Sequence, residues 1–314
     1  MIEIAIFLEG QNGLNWPRFQ RLAKTVEDLG FIGFFRSDHF TNSSPPDKDS
    51  LELWVSLTWL ASHTKRIEFG PLVSPISFRH PTFTARMAAA VDDLSEGRLV
   101  LGLGAGWQER EHNNYGFDLL PKGARFDRFE EGLEVITNLL RSDNPVDYDG
   151  QYYRLQEGIL LPRPHRPGGP PILIGGNGLK RTLPLTAKYA KEWNALMTTA
   201  GRFTELNLQL DQLITEQGRE PNELQRSMMV ACIFAKDETQ LQERVAQRTG
   251  GERTIDELIS QGRIVGTPNQ IVDQLSQLAE AGVQRVMLQW IDLDDLEGLE
   301  AIAKQVLPQL RALA

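Results

Sequence analysis

The chain has 314 residues, with 33 Lys and Arg against 42 Asp and Glu, for a formal net charge of −9. That balance excludes a general nucleic-acid binder, which needs a basic face, so any anion must be held by a local cationic patch. With 41% apolar and 24% charged residues the chain reads as a soluble globular protein, and no apolar run approaches a membrane span.

Strand-like and helix-like patterns alternate along the sequence. Ile2 to Leu8 opens as a strand rather than a signal peptide, and a helix follows from Pro17 to Leu29, closed by Gly30. Phe31 to Ser37 predicts the second strand, with Leu51 to His63 its helix and Ser50 the expected N-cap. Ile67 to Val73 is the third strand. Pro81 suits the first turn of the next helix, whose Met87, Val91 and Leu94 recur at helical spacing. Leu99 to Leu103 is the fourth strand, and Arg125 to Leu140 a long amphipathic helix with Phe126, Phe129, Leu133, Ile136 and Leu140 on one stripe. The alternation pauses over residues 144–170, where an Asp149-Gly150 turn signal between tyrosines predicts a hairpin. Pro171 to Ile174 is the fifth strand, Trp193 to Met197 the sixth, and Met228 to Phe234 the seventh. Helices near 238–247 and 255–260 and a Thr267-Pro268-Asn269-Gln270 capping box come next. Val283 to Trp290 is the eighth strand, and a helix from Leu296 to Leu310 closes the chain.

Eight strands, each followed by a helix, predict an α/β fold, a (β/α)8 TIM barrel. Residues 1–314 read as one domain, with a hairpin insertion around 142–170 and an extra helical insertion around 248–266. The rival, a doubly wound sheet, lacks its glycine fingerprint, because Gly10 and Gly13 are wrongly spaced and Asp38 alone is weak. Cys232, the one cysteine, reads as a small buried hydrophobe and fits a reducing cytoplasm.

In a barrel the working residues stand at the C-terminal ends of the strands. Behind the fifth strand Gly175, Gly176, Asn177 and Gly178 lead into Lys180-Arg181-Thr182. A strand, a stretch with little side-chain bulk and a helix start with two cations make a phosphate seat. Glycines at Gly104 and Gly106 and the indoles Trp107 and Trp290 suit a flat aromatic cofactor, although tight backbone packing explains such glycines equally well. His39 ends the second strand and can move a proton near neutrality. Asp38 beside it faces the other way and reads as a structural acceptor. The histidines at 39, 63, 80, 112 and 165 show no metal-ligand spacing, and Glu111-His112 reads as a solvated pair in a polar loop. Arg125 and Arg128 are expected to pair along their helix with Asp127 or Glu131. A paired-carboxylate hydrolase using Glu9 and Glu109 would leave the phosphate seat unexplained.

The segments GRLVLGLGAGWQEREHNNYGF, RFDRFEEGLEVI, SDHF, ILIGGNGLKRTLPLTAKYAKEWN and GTPNQIVDQLSQLAEAGVQRVML, in this order, resemble the luciferase-like monooxygenase superfamily. The glycine–Lys-Arg-Thr-Leu form is most similar to its coenzyme F420-dependent oxidoreductase branch. The resemblance implies a luciferase-like barrel that binds F420, or alternatively FMN, at its mouth, commonly as a homodimer. It places the cofactor phosphate at Gly175 to Thr182 and His39 beside the reacting ring as acid or base. Asp38, Leu72, Ser74, Gly104, Ala105, Gly106 and Trp107 fall on the cofactor wall, and Pro71-Leu72-Val73 lies where relatives often carry a non-prolyl cis peptide. Trp107 stands where sugar-phosphate dehydrogenases of the branch have a glutamate, which argues against that substrate. The activity implied is hydride transfer between F420 and a small organic molecule in the cytoplasm, with no nucleic-acid or membrane partner. Its alternatives are an FMN monooxygenase served by a flavin reductase, and a non-catalytic flavin or deazaflavin carrier.

Overall fold

Parallel pairing closes the sheet on itself in the computed structural model, which describes residues 2–312. The strands in chain order are β1 (Glu3–Leu8), β2 (Gly33–Arg36), β3 (Glu68–Pro71), β4 (Ser74–Pro75), β5 (Leu101–Gly104), β6 (Val146–Asp149), β7 (Arg154–Gly158), β8 (Ile172–Gly175), β9 (Glu192–Leu196), β10 (Gln225–Phe234), β11 (Ile264–Gly266) and β12 (Arg285–Gln289). Their lateral order is β3-β2-β1-β12-β10-β9-β8-β5-β4, and a bridge from Phe69 to Leu99 joins the two ends. Because β3 and β4 are two halves of one stave, the barrel has the eight staves that the alternation predicts. The break falls at Leu72–Val73, whose peptide is cis, so the expected third strand ends at Pro71 and resumes at Ser74.

Side-chain alternation along the staves divides the core in two. Ile4, Ile6 and Leu8 face outward into the large apolar layer beneath the helices, while Ala5 and Phe7 join Phe35, Leu72, Val100, Leu173, Met229 and Met287 inside the barrel. The third and fourth staves approach so closely that a Cβ on Gly102 would collide with the Pro71 carbonyl oxygen. One on Gly104 would lie 2.6 Å from Val73 Cγ2. These two glycines therefore serve backbone packing at the mouth. The barrel floor is ionic: Arg285 reaches Glu3 at 2.9 Å, Glu68 at 2.8 Å and Glu192 at 3.3 Å.

The hairpin of β6 and β7 is antiparallel and lies between helix Lys122–Arg141 and β8. After β10, helices Glu238–Thr249 and Ile255–Ser260 lead to β11, an unexpected strand that pairs with the upper end of β10, Cys232 opposite Ile264. Two further boundaries differ from expectation. Glu52, not Ser50, caps helix Leu53–His63, its carboxylate accepting from Val55 N at 2.7 Å. The last helix divides into Leu296–Gln305 and Leu307–Ala312, since Pro308 has no N–H to continue the ladder. Among the described residues no helix is long and apolar enough to cross a membrane, and no cluster of ligating side chains could hold a metal ion.

Candidate active site at the barrel mouth

His39 follows β2 on a loop that the body of the protein holds at several points. Ser50 Oγ donates to the His39 carbonyl at 2.5 Å, so the serine expected to cap a helix anchors this loop instead. The imidazole Nδ1 lies 2.8 Å from Glu111 Oε1, while Glu111 Oε2 accepts the Phe40 N–H at 3.0 Å. Among the described residues Nε2 has no hydrogen-bond partner, and the ring meets Trp107 edge to face with centroids 5.5 Å apart. Burial disfavours the charged imidazole, but the bond to Glu111 and the charges of Glu111, Glu9 and Asp38 outweigh it. The His39 pKa therefore lies above its ordinary value.

Glu111 corrects the sequence reading most sharply. It and His112 are fully buried on a short helix, Glu109–Tyr115, rather than solvated in a loop. His112 is held between Gln108 O at 2.6 Å and Ser77 Oγ at 2.8 Å, and burial lowers its pKa. The helix is bound to the His39 loop along its length. Gln108 donates to Thr41 O at 3.0 Å, and Arg110 donates to Asn42 O at 2.8 Å and pairs with Asp47 at 2.6 Å. Phe40 packs on Phe78, Tyr115 and Phe117 with centroids 4.8 to 5.7 Å apart. The two loops thus form one wall of the mouth.

Asp38 is buried, and its hydrogen-bond partners differ from those of His39. It accepts from Ser74 Oγ at 2.7 Å and from Arg79, which also reaches Glu52 at 2.9 Å. Burial pushes the Asp38 carboxyl up, against the pull of Arg79 and Ser74. On the first stave Glu9 accepts from Gln289 and Gln11, each at 2.8 Å. Leu72 belongs to the barrel interior and Ala105 is buried. Trp107 is 63% exposed. Trp290 is not part of the mouth: it is buried in the outer core, with its Nε1 donating to Asp295 O at 3.2 Å. Among the described residues Arg125 and Arg128 make no helix-surface ion pairs. Arg125 donates to the carbonyls of Leu119, Leu120 and Gly106, and Arg128 to that of Asp118.

Beyond β8 the chain forms the expected strand–glycine–helix turn into helix Thr182–Tyr189. Among the described residues the backbone N–H groups from Asn177 to Thr182 have no protein acceptor, a donor set that fits an anionic group. The Asn177 side chain is committed to β9, donating to Leu196 O at 2.7 Å and accepting from Leu196 N at 2.9 Å. Gly178 leaves room for Thr182, whose Oγ1 would lie 2.8 Å from a Cβ there. The two cations differ: Arg181 is paired with Asp127 at 2.7 Å, whereas Lys180 is exposed and makes no ion pair among the described residues. Leu179 and Leu196, at 42% and 46% exposure, add apolar surface at the tops of the same staves.

A parallel barrel of eight staves, with a histidine, an indole and a row of backbone N–H groups at the C-terminal ends of its staves, is a TIM-barrel protein. The chain belongs to the luciferase-like monooxygenase family, whose family model matches residues 2–285, and this makes it an oxidoreductase. It is 26% identical to an F420-dependent glucose-6-phosphate dehydrogenase of Amycolatopsis mediterranei, with 93% of each chain covered. Its fold matches an F420-dependent secondary alcohol dehydrogenase in complex with an F420-acetone adduct, with a TM-score of 0.86 at 19% identity over 99% of each chain. It also matches the EDTA monooxygenase of Chelativorans sp. BNC1, with a TM-score of 0.85 at 17% identity over 100% of this chain and 94% of the other.

Proposed function

We propose that this protein is an F420-dependent oxidoreductase that moves a hydride between F420 and a small organic substrate, with His39 as its proton-transfer residue. One observation carries this reading: a row of free N–H groups stands on the same barrel mouth as a histidine whose Nδ1 is engaged and whose Nε2 is free. The N–H groups of Asn177 to Thr182, with Lys180, would hold the cofactor phosphate. Leu72, Gly104, Ala105, Gly106 and Trp107 would wall the ring, with Ser74 and Asp38 braced behind them. When bound, F420 supplies the two-electron hydride chemistry. His39 accepts the substrate hydroxyl proton at Nε2 in the oxidative direction and returns it in the reductive one. Trp107, packed on the imidazole edge, limits the rotation of the ring and the access of water to it. The F420-dependent activities of the Amycolatopsis relative and of the alcohol dehydrogenase support F420. Trp107, in the place of the branch's glutamate, favours a substrate other than a sugar phosphate.

FMN with molecular oxygen is the second reading, supported by the family description and the monooxygenase fold match. Separate titrations of the cofactor-free protein with F420 and FMN decide between them, and binding of FMN alone would overturn the first. Tight binding without any substrate-dependent change in cofactor absorbance would leave a carrier. In the His39→Ala variant turnover is expected to fall about 100-fold or more with cofactor affinity kept, and undiminished turnover removes His39 from the mechanism. We also infer a cytoplasmic homodimer, because Val55, Phe83 and Leu94 leave apolar surface exposed on the packed helices Leu53–His63 and Pro81–Leu94. Sedimentation as a monomer at micromolar concentration would refute it.

A further inference from the structure

We propose that Glu111 is a positioning residue for His39: it fixes the neutral imidazole as the Nδ1–H tautomer and holds Nε2 open as the proton-accepting atom. This rests on the reading of His39 as the proton-transfer group.

The argument begins with the burial of a carboxylate. Glu111 has no exposed surface, and a buried carboxylate is costly unless donors or a cation satisfy it. Among the described residues no arginine or lysine pairs with it. Arg110, the adjacent cation, is taken by Asp47 and Asn42 O. Arg79 serves Asp38 and Glu52, and Arg125 serves loop carbonyls. Among the described residues only two donors reach Glu111, the Phe40 N–H and the His39 ring. An ionised carboxylate accepts and does not donate, so the Nδ1 atom 2.8 Å away must carry the hydrogen. In the neutral ring the lone pair is then confined to Nε2, the nitrogen without a partner.

The Phe40 N–H bond gives Glu111 a second function. One carboxyl oxygen holds the ring of residue 39 and the other holds the backbone of residue 40, so the same carboxylate fixes both the imidazole and the loop that carries it. The Gln108, Arg110 and aromatic contacts keep helix Glu109–Tyr115 against this loop, and Trp107 closes the ring from the other side. The charged groups that act on His39 are Glu111 from this helix, Glu9 from the loop after β1, and the neighbouring Asp38, itself paired with Arg79. Glu9 is held by Gln11 and Gln289 and makes no hydrogen bond to the imidazole. Of these charged groups, among the described residues, Glu111 is the one that hydrogen-bonds to the ring.

The test uses the full-length protein, first without cofactor. Nitrogen-15 spectra of histidine-labelled protein, with His39 assigned by its loss in His39→Ala, should show the Nδ1–H tautomer at high pH. Finding the Nε2–H tautomer there overturns the proposal without need of a Glu111 variant. In Glu111→Gln the amide oxygen accepts from Phe40 N and the amide nitrogen must donate to Nδ1, which reverses the tautomer. His39 should then titrate at lower pH. Turnover with F420 should fall about 10- to 100-fold with cofactor affinity within twofold, and the limb of the pH–rate profile that follows His39 should move to lower pH. A folded variant with an unchanged tautomer, titration and pH profile refutes the role of Glu111. If His39→Ala itself keeps full turnover, the reading of His39 fails, while the spectra still decide whether Glu111 sets its tautomer.

Discussion

Replacing Arg285 with Met should destabilise the barrel strongly and leave the turnover of each folded molecule unchanged. The guanidinium is buried on the barrel floor among three carboxylates that differ in their access to water. Glu3 and Glu68 are 42% exposed at the side chain and can rehydrate when the cation is lost. Glu192 is 3% exposed, and its Oε1 already has no partner. The loss therefore falls on Glu192, and stranding one member of a buried pair costs about 3–5 kcal/mol. Against a total stability of about 5–15 kcal/mol, that is a large fraction. Burial already holds the Glu192 pKa above its ordinary value, with Arg285 pulling it back, so Arg285→Met raises it further. A carboxyl whose folded pKa is raised stabilises the fold when protonated, and that contribution is lost as pH rises from the unfolded pKa through the folded one. The destabilisation should accordingly be larger at pH 8 than at pH 5, and Glu192→Gln in the same chain should recover much of it. Urea unfolding followed by circular dichroism at both pH values measures this for the single and double variants. A loss below about 1 kcal/mol at pH 8, or no recovery in the double variant, would refute the reasoning.

Other predictions test the mouth and the stave contact below it. Lys180→Ala should weaken binding of the cofactor phosphate about three- to tenfold at low salt, an effect that shrinks as ionic strength rises. Arg181→Ala should change affinity less, because Arg181 is already paired with Asp127 at 2.7 Å; equal effects would show that both cations face the anion. Gly102→Ala should destabilise by about 1–3 kcal/mol or more, because the new Cβ meets a carbonyl oxygen of a neighbouring stave that cannot turn aside. Gly201→Ala has open space around it and should be neutral or slightly stabilising. Urea midpoints compare the two, and equal values would refute the packing account.

Much of the fold was legible because its signals are local. The period-2 apolar runs, the capping box at Thr267 and the glycines after β8 each act within a few residues, so eight staves and the strand–glycine–helix turn can be read directly. His39 was legible as well, since strand-end placement follows from counting. Its partner was not. Glu111 lies 72 residues further on, in a seven-residue helix whose buried side chains are polar, so neither apolar periodicity nor spacing marks it. The exposed face of Trp107 against the buried one of Trp290, the pairing of Arg181 with Asp127 and the anchoring of His39 by Ser50 had the same source. Each depends on which surface another element covers. Sequence by itself determined where the chain turns and where a strand gives way through glycines to a helix, because those follow from residues in succession. Only the tertiary structure decided which charges lose their water and which partner they then find, because desolvation is set by neighbours distant in the chain.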